Sequence, residues 1–267
     1  MRWAMAFMPS DLTTLPALLR ERNIAAGTPL TVFEETTSTN DEAKRAAKSG
    51  APHGATWMTE LQTAGRGRQG RQWISPPGEN ILLSMLARLP CPPRRLPLLS
   101  LVVGLAARDA VARAAPQADV RVKWPNDVVI DGRKVCGILV EAQFAASQME
   151  ALIIGVGMNV HTRAFPEEIS QFATSVALHA LESPSRATLV VDLFEVLERD
   201  LPLVAARGLA PVHARLDAVD ALRGQRVRSD QGTEGIAEGI DDEGRLIVRR
   251  DDGSLERFVA GEVHLLR

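Results

Sequence analysis

Residues 123–142 read KWPNDVVIDGRKVCGILVEA, and this stretch decides the fold. DVVI and KVCGILVEA are apolar runs rich in β-branched side chains, which is typical of buried strands. The Asp131-Gly132 pair between them is a strong signal for a hairpin turn, because both residue types tolerate a positive φ. The sequence therefore predicts two antiparallel neighbours in a sheet, with KWPND at the end where VRVKW meets DVVID.

The use of lysine singles out two positions in this stretch. The chain has four lysines and twenty-seven arginines, and two of the four, Lys123 and Lys134, lie eleven residues apart here. An ammonium is a compact charge that approaches carboxylate and phosphate oxygens closely, whereas a guanidinium is a planar fork. Because Lys134 follows the hairpin turn, we expect it at the same end of the sheet as Lys123. The pattern indicates that both positions need an ammonium, with chance as the alternative.

The KWPND segment groups an ammonium, a carboxamide and a carboxylate within five residues. Pro125 stiffens the chain and keeps the residue before it extended, so Lys123, Asn126 and Asp127 come together near one turn. Positive charge suits phosphate oxygens, and a carboxylate suits a metal ion or an attacking amine. The segment predicts a magnesium-nucleotide site, and an Asn-Asp turn with a surface lysine is the alternative.

A glycine-rich and arginine-rich loop, GRGRQGRQW, occupies residues 65–73 directly after a predicted strand. Its glycines let the backbone wrap closely around a ligand, and Arg66, Arg68 and Arg71 offer guanidinium groups for anionic oxygens. The loop ends in Trp73, whose ring suits stacking on a base. An RGG-like RNA segment and a solvated turn are the alternatives. RGG segments repeat within disordered tracts, whereas this one occurs once between strands, which favours a small anionic ligand.

The segment GVGMNV, residues 155–160, ends an apolar strand. Its glycines permit close approach of a ligand, and Asn159 offers a polar contact. A strand that simply ends in a turn is the alternative interpretation.

The chain divides into three parts: residues 1–29, a short helical extension; 30–221, the main domain; and 222–267, a small domain. Predicted strands of the main domain are LTVFEET, ATWMTEL, NILLSMLARL, VRVKW, DVVID, KVCGILVEAQ and MEALIIGVGMNV. Short alternating runs from Gly224 onward, QRVRS, TEGIAEGI, RLIVRR and LERFVA, are separated by acidic glycine turns and predict a small antiparallel barrel.

Helix signals lie between and after the strands. Ser10 is the predicted N-cap of DLTTLPALLRER, with Gly27 and Pro29 ending that helix, and Asn40 is the predicted N-cap of DEAKRAAKS, which stops at Gly50. Longer helices are predicted over LPLLSLVVGLAARDAVARAA, SRATLVVDLFEVLERDLPLVAARG and PVHARLDAVDAL.

Composition excludes several classes of protein. With 267 residues, 45% of them hydrophobic, the chain is long enough to bury a sizeable core, and a net charge of −2 argues against a dedicated nucleic-acid binder. Cys91 and Cys136 form no CxxC pair and have no histidine at metal-ligand spacing, so we expect neither a disulfide framework nor a zinc site. The N-terminus carries no signal peptide pattern and no apolar run spans a membrane, so a cytoplasmic protein is expected.

These segments together closely resemble the biotin protein ligases, which activate biotin with ATP and transfer it to a lysine of a carrier protein. The motifs that carry the resemblance are TSTN at 37–40, LQTAGRGRQGRQW at 61–73, KWPNDVVIDGRKVCGILVE at 123–141 and GVGMNV. The resemblance covers roughly residues 30–267, including GEVHLLR at the end. It implies an α+β fold: a mixed, mainly antiparallel sheet with flanking helices, as in class II synthetases, plus a small C-terminal SH3-like β-barrel.

The resemblance also implies roles for individual residues. Those implied to contact biotin are Ser38, Thr39, Asn40, Gln62, Arg66, Gly67, Arg68, Lys134 and Gly137, with Lys134 on the carboxylate. Those implied to serve the nucleotide are Arg66, Arg68, Arg71, Trp73, Lys123, Asn126 and Asn159, with Trp73 packed on the adenine. Asp127 is the implied metal ligand, and the implied catalytic residues are Lys134, Arg66, Arg68, Lys123 and Asp127.

The expected reaction uses biotin, ATP and Mg²⁺ as small-molecule partners and forms an acyl-adenylate. The expected protein partner is the biotin carboxyl carrier protein of acetyl-CoA carboxylase or of a related enzyme. About thirty residues precede the catalytic strand, which leaves no room for the winged helix-turn-helix of the repressor members. We therefore expect a monofunctional ligase, a monomer or weak homodimer, without specific DNA binding. A lipoate or octanoate ligase or transferase of the same fold is the alternative, and a nucleic-acid-binding module is a third.

Overall fold

The computed structural model describes residues 10–145 and 148–266 and contains two sheets. The larger, seven-stranded sheet consists of β1 (Leu30–Thr36), β2 (Thr56–Gln62), β3 (Ile81–Ala87), β4 (Val120–Lys123), β5 (Asp127–Ile130), β6 (Arg133–Ala145) and β7 (Gln148–Met158). Its strand order is β1-β2-β3-β7-β6-β5-β4. Only the β1–β2 pair of this sheet is parallel, so the prediction of a mixed, mainly antiparallel sheet is confirmed.

Helices cover both faces of the larger sheet. The α-helices of the described residues are α1 (Leu15–Glu21), α2 (Thr39–Lys48), α3 (Leu96–Ala114), α4 (Glu167–Ser170), α5 (Arg186–Arg207) and α6 (His213–Ala218). Alternate residues of a strand point to opposite faces: Leu83 of β3 joins the main core with α3 and α5, whereas Leu86 packs with Ala43 and Ala47 of α2. Within the described residues, we find no helix with the length and apolar character needed to cross a membrane.

The hairpin of residues 123–142 forms as predicted. Asp131 and Gly132 have φ values of 50° and 77°, the left-handed conformations that a two-residue hairpin turn requires. On the other side of β5, Lys123 of β4 pairs directly with Asp127, and the turn between them contains Pro125. The two short connections therefore place Asp127 opposite Gly137 of β6, with Lys134 three residues nearer the second turn.

The C-terminal segment, predicted as a small antiparallel barrel, forms a small antiparallel sheet of five strands. Its strands are β8 (Arg226–Ser229), β9 (Glu234–Ile240), β10 (Leu246–Arg249), β11 (Leu255–Phe258) and β12 (Val263–Leu265), in the order β11-β10-β9-β8-β12. This small domain is attached to the KWPND end of the large sheet. The buried indole of Trp124 donates a hydrogen bond to the carbonyl of Gly244 at 3.0 Å, and Gly244 packs against Leu98 of α3.

Two predicted helix boundaries were wrong. The helix predicted to have Asn40 as its N-cap begins two residues earlier, at Thr39, with Ser38 at the N-cap position. Asn40 cannot cap because Glu141 and Ser84 hold its side chain. Ser10 is an N-cap, as predicted, but it begins a short 3₁₀ helix, Asp11–Thr14, that leads into α1. Helix α1 ends at Glu21, before the predicted stop at Gly27, because Asn23 adopts a left-handed φ of 55°. Sequence analysis also missed β12.

Candidate active site

A pocket opens at the KWPND end of the larger sheet, between the start of α2, the loop of residues 65–73 and the β4–β6 hairpins. It is lined by Ser38, Thr39, Asn40, Gln62, Arg66, Gly67, Arg68, Arg71, Gln72, Trp73, Leu83, Asn126, Asp127, Lys134, Gly137, Ile138, Leu139, Gly155, Val156, Gly157 and Glu262. The lining includes every predicted site residue except Lys123 and Asn159. The four sequence motifs therefore meet in one cavity, together with Leu83 and Glu262.

The glycine-arginine loop folds back on itself as a small hairpin above this pocket. Its Gly67 amide donates to the Arg71 carbonyl at 2.7 Å, and the Trp73 amide donates to the Gly65 carbonyl at 3.0 Å. Gln69, at the tip, has a φ of 55°. A Cβ on Gly65 would lie 2.4 Å from the carbonyl oxygen of Trp73, so this close return requires glycine. The loop is thus built with its guanidinium groups gathered at the pocket.

Trp73 lies flat on a floor made by two glycines. Gly137 of β6 and Gly157 of β7 are direct cross-strand partners. A Cβ on either glycine would lie 2.9 or 2.6 Å from the indole ring, respectively, so only glycine allows this contact. The Nζ of Lys134 lies 5.6 Å from the ring centroid, within the range of a cation–π attraction. The aromatic ring and the ammonium are therefore held together at the pocket.

Asp127 lies between two lysines. Its Oδ1 is 2.7 Å from the Nζ of Lys134, and its backbone pairs with Lys123 on β4. Burial lowers the pKa of the Lys123 ammonium; the charge of Asp127 opposes this shift and the charge of Lys134 adds to it. The cluster carries one net positive charge when both lysines are protonated, which suits an anionic ligand.

Arg68 connects the loop to KWPND. Its Nη1 donates to Oδ1 of Asn126 at 2.9 Å, and the Asn126 carboxamide in turn donates to the carbonyl of Ile138 at 2.8 Å. Burial lowers the pKa of the Arg68 guanidinium, Asp127 opposes the shift and Arg71 adds to it. Arginine stays charged at any pH at which proteins are folded. Arg68 therefore brings a partly desolvated positive charge to the side of the pocket nearest Lys134.

The start of α2 supplies the other wall. The backbone amide of Thr39 donates to Oε1 of Gln62 at 2.9 Å, which fixes the carboxamide of β2 against the helix. Asn40 is buried and donates from Nδ2 to Oε2 of Glu141 at 2.7 Å. Arg66 reaches this wall from the loop and pairs with Asp41 at 2.6 Å. Neutral amides and hydroxyls thus form one half of the pocket, and cations form the other.

Two predicted nucleotide residues lie behind the lining. Lys123 is on β4, next to Asp127. Asn159 is buried, its Nδ2 donates to the Thr174 carbonyl at 3.0 Å, and its amide donates to the Val135 carbonyl at 2.8 Å. Their roles toward a nucleotide stay predictions, and the contacts of Asn159 are those of a residue that fixes the segment after β7.

Sequence analysis missed Glu262, which comes from the small domain and pairs with Arg71 of the loop. A lone glutamate before a short strand carries no local signal of such a contact. Gly155 was noted only as part of a glycine pattern. The structure explains why this position needs glycine, because a Cβ there would lie 2.4 Å from Oδ1 of Asn40.

The pocket residues can hold a metal ion only together with a bound substrate that supplies further ligands. Among the residues that the structure describes, no three or more His, Cys, Asp or Glu side chains come together as a metal site. Asp127, the predicted ligand, offers one carboxylate beside Lys134. Mg²⁺ commonly binds through one or two carboxylates together with substrate phosphates and waters. The residues present therefore fit Mg²⁺ as part of a magnesium-nucleotide substrate.

The fold and the pocket define the class of protein. The model of the Biotin/lipoate A/B protein ligase family matches residues 32–159, and that of the Biotin protein ligase C terminal domain matches residues 224–266. The first range contains the pocket except for Glu262, and the second contains the small sheet. The chain is thus a ligase of the biotin and lipoate class.

Individual relatives show which ligases of this class the chain is similar to. The biotin–[acetyl-CoA-carboxylase] ligase of Mycobacterium tuberculosis is 38% identical over 93% of this chain and 94% of that protein. The bifunctional ligase/repressor BirA of Bacillus subtilis is 32% identical over 90% of this chain and 74% of that protein. The biotin protein ligase of Aquifex aeolicus, solved in complex with biotin and ATP, is 26% identical, with a TM-score of 0.75 over 89% of this chain and 98% of that chain. The chain belongs to the biotin protein ligase family.

Proposed function

We propose that this chain activates biotin with ATP and then transfers it to a lysine of a biotin carboxyl carrier protein. In the first step, a carboxylate oxygen of biotin attacks the α-phosphorus of ATP, and pyrophosphate leaves with the electrons of the broken P–O bond. In the second step, the carrier amine attacks the acyl carbon of biotinyl-adenylate. AMP leaves, the amine loses one proton, and an amide forms.

The observation that carries this proposal is the position of Lys134. Its ammonium lines the same cavity as the polar wall of α2 and the cationic loop, and it lies beside Trp73 and Asp127. A carboxylate and a triphosphate repel each other, so their approach requires fixed positive charge between them. We propose that Lys134 binds the biotin carboxylate while Thr39, Asn40 and Gln62 contact the biotin rings.

The positive charges on the loop would bind the phosphates of ATP. We propose that Arg66 and Arg68 bind phosphate oxygens from the loop while Lys123 acts from β4, and that Trp73 packs on the adenine. Phosphoryl chemistry of this kind depends on positioning and charge stabilisation rather than on an enzyme nucleophile. Mg²⁺ bound with ATP would neutralise further charge on the phosphates. Closure of the loop would keep water from the adenylate.

Asp127 would serve the second step. A free lysine amine has a pKa of about 10.4, so the carrier lysine must lose its proton to become a nucleophile. Asp127 lies at the pocket with its carboxylate partly exposed, and we propose that it orients this amine and receives the proton directly or through water.

The test is exchange of labelled pyrophosphate into ATP with biotin, lipoate or octanoate added separately. We expect exchange with biotin and Mg²⁺, and loss of exchange when Mg²⁺ is chelated. Carrier domain added afterwards should gain one biotinyl group on one lysine, seen by mass spectrometry. Exchange with lipoate or octanoate but not with biotin would contradict the proposal. Biotin is favoured over lipoate because the curated relatives that match over most of the chain are biotin ligases.

A further inference from the structure

Glu141 of β6 lies behind the pocket wall, outside the cavity lining, and receives three cationic or amide partners. Its Oε2 accepts from Nδ2 of Asn40 at 2.7 Å, and its Oε1 accepts from Nζ of Lys44 at 2.6 Å. Nη2 of Arg66, which pairs with Asp41, is 3.5 Å from Oε2. The carboxylate is half-buried at 26% exposure. Glu141 thus contacts both the polar wall and the arginine loop.

The Glu141 carboxylate fixes the orientation of the Asn40 side-chain amide. An ionised carboxylate only accepts hydrogen bonds, so the amide must turn its NH₂ group toward Glu141. Burial raises the pKa of the Glu141 carboxyl, but the hydrogen bonds from Lys44 and Asn40 hold it below its ordinary value overall. The group is therefore ionised at neutral pH, and Oδ1 of Asn40 faces the opposite side, where it contacts Ser84.

This orientation determines the direction of the hydrogen bonds that follow. Because Oδ1 cannot donate, the single hydroxyl hydrogen of Ser84 must point to Asn40. Ser84 Oγ can then only accept from Thr39, whose hydroxyl lies 2.8 Å away and also 3.2 Å from Oε1 of Gln62. Either partner engages the one hydroxyl hydrogen of Thr39, so that only lone pairs of this oxygen remain for a ligand. Thr39 therefore presents lone pairs to a ligand.

We propose that Glu141 is a positioning residue that makes the pocket wall an acceptor for a ring N–H of the acyl substrate. The inference rests on the proposed function, in which this wall contacts the biotin rings. A ureido ring offers N–H donors, which match the lone pairs of Thr39. Without a carboxylate behind it, Asn40 can turn its NH₂ toward Ser84. The Ser84 hydrogen then points to Thr39, and Thr39 can donate instead.

The test compares the wild type with Glu141→Gln, Glu141→Asp and a control, Glu150→Gln. Gln keeps the shape of the side chain but offers either oxygen or NH₂, Asp stays an acceptor, and Glu150 is an exposed residue of β7. The substrates are biotin and its two cyclic carbamate analogues, in which oxygen replaces one ring N–H. Pyrophosphate exchange gives kcat and KM for each substrate and for ATP.

We expect the wild type to prefer biotin over at least one carbamate, and Glu141→Gln to lose most of that preference. The KM for biotin should rise about 10- to 100-fold, as for the loss of a hydrogen bond to a charged group, while the KM for ATP changes by less than about threefold. Glu141→Asp should retain the preference, and Glu150→Gln should behave as the wild type.

Several outcomes would overturn the inference. A Glu141→Gln enzyme with the wild-type preference would show that Glu141 does not set the donor pattern. Equal losses against biotin, both carbamates and ATP, together with a lower melting temperature, would show a purely structural role. A wild type that does not use biotin at all would overturn the proposed function first, and the inference with it.

Discussion

Asp127 is the residue on which the charges of the site depend. It pairs with Lys134 at 2.7 Å and raises the pKa of Lys123 against the effect of burial. Lys123 was predicted to lie near Asp127 at one turn and Lys134 at the same end of the sheet. Lys123 pairs with Asp127 across the first turn, whereas Lys134 follows the second turn and reaches Asp127 with its side chain. The side-chain contact of Lys134 with Asp127 was not predictable, because side-chain distances depend on packing that a sequence pattern does not contain.

Lys134→Arg tests whether this position needs a compact charge. The Nζ lies 2.7 Å from Asp127, and a Cβ on Gly137 would lie 3.1 Å from it, so the space is small for a planar guanidinium. We expect kcat/KM for biotin in pyrophosphate exchange to fall by about 10²- to 10³-fold, as for the removal of an oxyanion donor. Near-wild-type activity would contradict the point-charge role.

The pH dependence of ATP use tests Lys123. Because its pKa is lowered, Lys123 loses its charge at a lower pH than an ordinary lysine, and kcat/KM for ATP should fall as pH rises through that value. Asp127→Asn removes the charge that raises this pKa, so the alkaline limb should move to lower pH. Lys123→Arg, which stays charged, should move the limb upward. A limb in the same place in all three enzymes would exclude Lys123 as its source.

At the scale of elements, two strands and one loop depend on each other. Gly137 and Gly157 pair across β6 and β7, and the indole of Trp73 lies on them. The sequence predicted glycines for close approach and a tryptophan for stacking. That these residues contact each other could not be predicted, because the loop return that places Trp73 is not encoded by a local pattern. The hairpin within the loop was unforeseen for the same reason.

Gly157→Ala should displace Trp73. The new Cβ would lie 2.6 Å from the ring, so the indole must move and lose its contact with the floor. We expect a shift in the Trp73 emission, taken as the difference between spectra with and without Trp73→Phe, and a loss of pyrophosphate exchange of at least about tenfold, as for misplaced catalytic groups.

Gly104→Ala is the matched control for that variant. Gly104 lies within α3, and the nearest atom to a Cβ there, on Val122, is at 3.4 Å. Alanine is favoured over glycine in a helix by about 1 kcal/mol, so this variant should keep activity and the wild-type emission. If Gly157→Ala behaved in the same way, Trp73 would not depend on the glycine floor.

At the scale of the whole molecule, the small domain contacts the pocket region at two places. Gly244 accepts the hydrogen bond from Trp124 next to KWPND, and Glu262 pairs with Arg71 of the loop. The small sheet itself was predictable, because alternation and turn residues are local signals. The position of the small sheet against the large sheet was not predictable, because this contact joins residues about 120 positions apart in sequence.

The distribution of lysines over the whole chain leads to the last prediction. Released biotinyl-adenylate acylates free amines, and the chain has four lysines. Lys123 and Lys134 adjoin Asp127, Lys44 pairs with Glu141 at 2.6 Å, and Lys48 is exposed at the end of α2. We therefore expect mass spectrometry of enzyme incubated with biotin and ATP to find little self-biotinylation, on Lys48 or on the N-terminal amine, which lies outside the described residues.

Glu141→Gln provides the contrast within the same measurement. Removing the carboxylate frees the amine of Lys44 from its partner, so labelling of Lys44 should increase several-fold relative to Lys48, while Glu150→Gln should leave the ratio unchanged. An ion-paired side chain is held in place by its partner, and loss of the pair leaves it free to reach the adenylate. Heavy labelling of Lys123 or Lys134 in the wild type would instead show that these two lysines are not held in the charged, ligand-bound state proposed for them.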